Sequence, residues 1–195
     1  MTDTATPPLF RLPRLRAHLP ARRTWLKLMH GLMIPLVAWF VWATPENVER
    51  LWGPGGHAIN SVIALGFVIL CLIWSIDYFV RGLAGRPGPK LSPRLRTFHR
   101  WLHRALIWGI ILVPVGGFLL GLTASRLLKA GTILPIAPPM DWPTANAIVG
   151  KLHIYEFYAL AALATVHAGF HIWRHLRLKD NALRIMAPKI LHRFL

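Results

Sequence analysis

Charge is missing from three long stretches of this chain. Leu28 to Ala43 holds no acidic or basic residue, Ala105 to Ser125 holds none, and His57 to Val80 holds one, Asp77. A helix needs about 20 mostly apolar residues to cross the hydrocarbon of a bilayer, and uncharged runs of this length are what such a helix requires. Four apolar segments follow, at roughly 25–43, 58–80, 102–122 and 147–173. Within lipid the backbone must satisfy its own hydrogen bonds, so each segment is predicted to be helical. Pro35 and Pro114 fall inside the first and third segments, where membrane helices tolerate proline as a kink. Short connections join the segments. The expected fold is therefore an all-α membrane protein, with four transmembrane helices packed as an up-down-up-down bundle.

The charge balance tests this reading. The chain has 23 Lys and Arg against 7 Asp and Glu, a net charge of +16, yet 54% of its residues are hydrophobic and only 15% are charged. A nucleic-acid binder would spread its basic residues over a solvated face. Here they cluster by connection: six up to Lys27, seven in 81–104 and six from Arg174 onward, against one in 44–57 and three in 121–152. That alternation marks topology by the positive-inside rule and predicts both termini on the cytoplasmic side. No nucleic-acid partner is implied, and the composition excludes a disordered or collagen-like chain. Trp25, Trp39, Trp42, Trp52, Trp101, Trp142 and Trp173 gather near the segment ends, as an interfacial aromatic belt does.

Residues 1–24 form a basic, proline-containing cytoplasmic arm, 25–175 the membrane domain, and 176–195 a basic cytoplasmic tail. The arm is expected to be loose or to lie on an anionic leaflet. A cleaved signal peptide is not expected, because the apolar segment starts late and Pro45 follows Ala43–Thr44. The proline-rich stretch 131–143 is expected to form an ordered lid over the outer end of the bundle.

One cysteine, Cys71, against ten histidines settles which side chains can hold a metal or cofactor. Neither a thiolate cluster nor a C-x-x-C-H haem attachment is available. A histidine inside a span is costly unless partnered, which makes it a functional candidate by default. His153 and His167 are 14 residues apart, which returns them to within roughly 40° of the same helix face and separates them by about 21 Å along the axis. Each then has a mate at its own depth: His30 with His167 toward the cytoplasmic side, His57 with His153 toward the outer side. A lone zinc ion would want about four ligands in a tetrahedron, whereas paired imidazoles across a gap between helices suit the iron of b-type haem. His171, one turn from His167, and His103, at the start of the third segment, are alternatives to His167 and His30. His99 and His175 crowd the same side. His18 and His192 fall in the polar ends and are expected to be solvated. Gly66, Gly109, Gly116 and Gly117 are small enough to admit close approach of helices or cofactor.

These residues resemble the bacterial cytochrome b561 family, itself similar to the di-haem cytochrome b subunits of membrane-bound formate dehydrogenases and hydrogenases. The likeness is carried by His153-x13-His167 followed by AGFHIWRHLRLKDNALRIM, in which Lys179, Asp180, Leu183, Arg184 and Met186 fall in the family's register. His103, Pro114 and Gly117 follow the family's His-to-Pro-x-x-Gly spacing, and Gly-Arg-Pro at 85–87 and the proline pair 138–139 also fit. The similarity covers about residues 22–190. It implies two haem b groups with His30, His57, His153 and His167 as iron ligands, the same four chosen by depth. Three positions depart from the family pattern: Gly31 stands where Trp is usual, Cys71 where an Arg is frequent, and Ala-Ile-Asn-Ser at 58–61 where Lys-Ser-x-Gly is common.

The function expected on this basis is electron transfer across a bacterial inner membrane to or from a quinone. Two bis-histidine irons have no open position, which favours electron transfer over oxygen chemistry. The protein would act either free-standing or as the membrane subunit of a dehydrogenase, with a periplasmic or membrane redox protein as a further partner. A superoxide:ubiquinone oxidoreductase is the alternative within the family, and the departures in the second segment weigh against it. A non-redox transporter or assembly factor that uses its histidines for protons or metal is the alternative outside the family. Lys151, Arg100 and Arg104 are candidates for pairing with haem propionates, and Glu156 for a proton or quinone contact.

Overall fold

The structure, a computed structural model, describes residues 21–85, 87–187 and 192–193. Most of the arm 1–24, with His18, lies outside the described residues, as do Arg86 and much of the tail. The described chain is mostly helical. Helix α1 spans Arg22–Trp42, α2 Pro45–Trp52, α3 Gly56–Arg81, α4 Pro93–Thr123, α5 Pro143–Trp173 and α6 Ala182–Met186. A 3₁₀ turn, Gly53–Gly55, links α2 to α3, and a π turn, Arg174–Leu178, extends α5. Among the described residues, four helices are long and apolar enough to cross a membrane: α1, α3 together with the α2 that precedes it, α4, and α5 with its π extension. Their outward residues are large and apolar, such as Ile34 (63% exposed) and Leu72 (53%). Such faces are stable in contact with lipid, where apolar exposure carries no penalty.

Three helices begin at a proline. Pro45, Pro93 and Pro143 each open a helix, a position where the missing N–H costs nothing and the fixed φ is already helical. Thr44 caps α2 by accepting the Asn47 N–H at 3.3 Å. This short amphipathic helix lies in a segment the sequence reading treats as a connection. Helices α4 and α5 likewise start nine and four residues before the apolar segments within them, because their first turns are polar. Both α1 and α4 run through their internal prolines.

A two-stranded antiparallel sheet is added to the expected helices. Strand β1 (Leu128–Ala130) pairs with β2 (Leu134–Ala137). At its turn Gly131 has φ 56° and Thr132 φ 68°, and the Ile133 N–H bonds the Ala130 carbonyl at 3.2 Å. Consecutive positive φ values are what a primed hairpin turn demands. The anticipated lid is thus partly a β-hairpin: Leu128 packs on Gly121, and Gly131 lies against Leu65 and Val62.

The chain divides into two compact units, one of 1–32, 73–108 and 162–195, the other of 33–72 and 109–161. Met29, Val80, Leu91 and Leu102 are buried in the first unit. Arg22 donates to the carbonyls of Arg81 (2.8 Å) and Gly82, tying α1 to the end of α3. Asp77 and Arg81 form a buried ion pair one helical turn apart, with the guanidinium 5.6 Å over the Trp25 ring. Asp77 therefore has a structural account. Asp180 accepts from Arg174 Nε (2.9 Å) and Nη2 (2.6 Å), both side chains being 3% exposed, and also accepts the Ala182 N–H at 3.0 Å. Gly88 is fitted over this pair, since a Cβ there would lie 2.7 Å from Asp180 Oδ2.

In the second unit Phe40, Phe67 and Phe157 form a triangle of rings with centroids 5.5–6.4 Å apart. Trp39 Nε1 donates to Asn60 Oδ1 at 2.9 Å, and Asn146 Nδ2 to the Leu120 carbonyl at 2.8 Å. These bonds join α1 to α3 and α4 to α5. Gly109 lets Leu160 sit where its own Cβ would be, 2.8 Å from Leu160 Cδ1. Gly66, expected to serve the same purpose, faces open space.

Candidate functional sites

Five histidines converge in the first unit. Helix α1 supplies His30, α4 supplies His99 and His103, and α5 supplies His167 and His171. Each of the last two pairs has i,i+4 spacing, which stacks both rings on one helix face. The His30 and His167 ring centroids are 6.4 Å apart with planes inclined by 22°. The His30 Nδ1 lies 2.7 Å from the Leu26 carbonyl, so that nitrogen carries the proton and Nε2 has the free lone pair. Trp74 meets the His30 ring edge-on at 5.1 Å. The Nδ1 of His167 is buried and has no hydrogen-bond partner.

Two of the other three adjoin His167, and the third adjoins those two. The His103 ring is 4.7 Å from it and the His171 ring 4.5 Å, and His99 is 4.0 Å from His103. His103 Nδ1 lies 2.8 Å from the His99 carbonyl, and its Nε2 side abuts Gly85, which has φ 93°. The sequence reading places His99 only among a crowd of histidines. The repeated His-x3-His spacing, at 99/103 and again at 167/171, is the signal that could have singled it out.

In the second unit His153 borders a cavity of about 730 Å³. That is within the range of about 300–1,000 Å³ usual for cofactor and ligand pockets. Its wall is mostly apolar and includes Pro114, Gly117, Phe40, Phe67 and Phe157. The imidazole rests on Gly117, where a Cβ would lie 3.3 Å from His153 Cε1. Glu156 Oε2 is 3.9 Å from His153 Nδ1, and both atoms are buried without a hydrogen-bond partner.

The four residues proposed from sequence are thus placed differently. His30 and His167 are brought together. His57, in the first turn of α3, is exposed and makes no ring contact with His153. Lys151 is exposed, and Arg100 Nη2 lies 3.5 Å from Thr97 Oγ1. His192 is held against the Ala187 carbonyl at 3.1 Å.

Chemically, the first unit offers a cluster of imidazole nitrogens, and the second an apolar cavity with one imidazole in its wall. Either suits a metal-bearing cofactor. No protein-family model matches the chain, and no curated protein matches it.

Proposed function

We propose that this membrane protein is a di-haem b cytochrome that exchanges electrons with a quinone, in the manner of the bacterial cytochromes b561 it resembles. The His30–His167 spacing carries the reading. Two metal–nitrogen bonds of about 2.0–2.1 Å and two imidazole radii of about 1.1 Å would put the ring centroids at most roughly 6.3 Å apart if both residues held one metal. The observed separation of 6.4 Å is close to that span. The residues that would hold the first haem are His30 and His167; for the second, the cavity supplies His153, and His57, exposed and outside the cavity lining, would have to turn inward to complete the pair.

Haem b, when bound, supplies reversible one-electron chemistry between ferric and ferrous iron. The chain's own contribution is to hold and tune it. The Leu26 carbonyl fixes the His30 ring and its tautomer, a contact of the kind that raises ligand basicity. If His30 and His167 both held the haem, the site would favour electron transfer over ligand chemistry at iron. The mostly apolar wall of the second cavity would favour the less charged state of a cofactor held there. In this reading the protein lies in a bacterial inner membrane with both termini cytoplasmic, as the clustering of basic residues supports. It works with a redox partner protein or alone.

The test is an oxidised-minus-dithionite-reduced spectrum of purified protein made with ample haem, with haem counted per chain. The expected result is two b-type haems. A preparation without a Soret band refutes the proposal and favours a non-redox membrane protein.

A further inference from the structure

We infer that His99, His103 and His171 form a binding site for a divalent transition-metal ion of the zinc–copper class, separate from the proposed iron ligands. Each residue presents a ring nitrogen, and the three nitrogens all lie within 4.8 Å of one another. Burial is the second observation. His99 is 1% exposed and His171 8%, and neither ring nitrogen of either residue has a hydrogen-bond partner. Four buried nitrogens left in this way are costly, and a metal ion satisfies two of them directly by accepting their lone pairs.

The donor set selects the ion. Three imidazoles without a thiolate or carboxylate suit zinc, copper or nickel rather than calcium or magnesium. Three histidines and one open position form a known zinc geometry. In a tetrahedral site with metal–nitrogen bonds of about 2.0–2.1 Å, the donors stand about 3.3 Å apart. The present nitrogens therefore need to close by about 1.5 Å at most, within the reach of side-chain rotation.

The surroundings hold these donors in place. The His99 carbonyl engages Nδ1 of His103, and Gly85 closes on the opposite side of that ring. Phe170 packs against both His99 (6.1 Å) and His171 (5.9 Å), and the Arg174 guanidinium lies 6.0 Å over the Phe170 ring. Asp180 neutralises that guanidinium, which lowers the repulsion a bound dication would meet.

The experiment uses the untagged full chain, purified with whatever haem it carries. Metal content is measured by mass spectrometry after dialysis, and copper(II) is then added alone and followed by electron paramagnetic resonance. One tightly held ion per chain beyond haem iron, with nitrogen hyperfine structure, is expected. His99→Ala and the less disruptive His99→Gln should each abolish that ion while leaving the haem count unchanged. His167→Ala should lower the haem count and keep the ion. Absence of a stoichiometric ion overturns the inference, as does an ion retained by both His99 variants. Loss of haem in His99→Gln assigns the cluster to the cofactor and also overturns it. A chain that binds the ion but no haem supports this site and refutes the haem reading alone.

Discussion

Replacing Asp180 by Ala should destabilise the protein out of proportion to the size of the side chain. Asp180 and Arg174 are each 3% exposed, and the carboxylate accepts two guanidinium bonds and one backbone N–H. Removing it leaves a charge buried beneath Phe170 with its principal counter-ion gone. Breaking a buried pair from one side costs about 3–5 kcal/mol, whereas an exposed pair is worth about 0–1 kcal/mol. The lost Ala182 hydrogen bond adds about 0.5–1.5 kcal/mol. For a chain of this length each kcal/mol moves the melting midpoint by roughly 2–4 °C, so the pair alone corresponds to about 6–20 °C. Tryptophan fluorescence during heating in detergent reads the shift. Removing both charges in Arg174→Met/Asp180→Asn should recover part of the loss, because no uncompensated charge is then left buried. A fall below about 2 °C in the single variant would show that solvent or lipid headgroups screen the pair. A double variant no better than the single would show that the charge is not the cause.

Further outcomes follow from the two sites. His30→Ala and His167→Ala should each lower the haem count from two to one and remove the same spectral component. Two separately lost components would break the pairing. Gly117→Val, on α4, should push the His153 ring of α5 aside and reduce only the other haem, again by haem count, and an unchanged count would show that this cavity does not hold cofactor. Gly85→Ala combines a positive φ, worth about 1–3 kcal/mol of strain, with a Cβ 2.8 Å from His103 Nε2. It should lower the melting midpoint and weaken copper binding together, and a variant that melts lower but binds copper as before would separate His103 from the metal site.

The membrane class and the number of spanning helices were legible in the chain because both follow from local quantities, the length of each uncharged run and the thickness of hydrocarbon. The choice of His30 and His167 as neighbours was legible for a similar reason, since depth along a helix scales with residue count. Helix starts were less so. Pro45, Pro93 and Pro143 carry the same local signal whether they end an element or begin one, and only the following turn of backbone hydrogen bonds decides. The hairpin at 128–137 was hidden for want of an alternating pattern, its pairing resting on positive φ at Gly131 and Thr132.

What the sequence determined alone is therefore one-dimensional: four apolar spans, a lopsided distribution of basic residues, and histidines as the abundant ligands. Tertiary structure decided azimuth, which residue count along separate helices does not specify. It turned His99 inward to join His103 and His171, and left His57 exposed without a ring contact to His153. It also gave Asp77 and Asp180 their partners, because a carboxylate in an apolar setting is stable only where a cation is within reach.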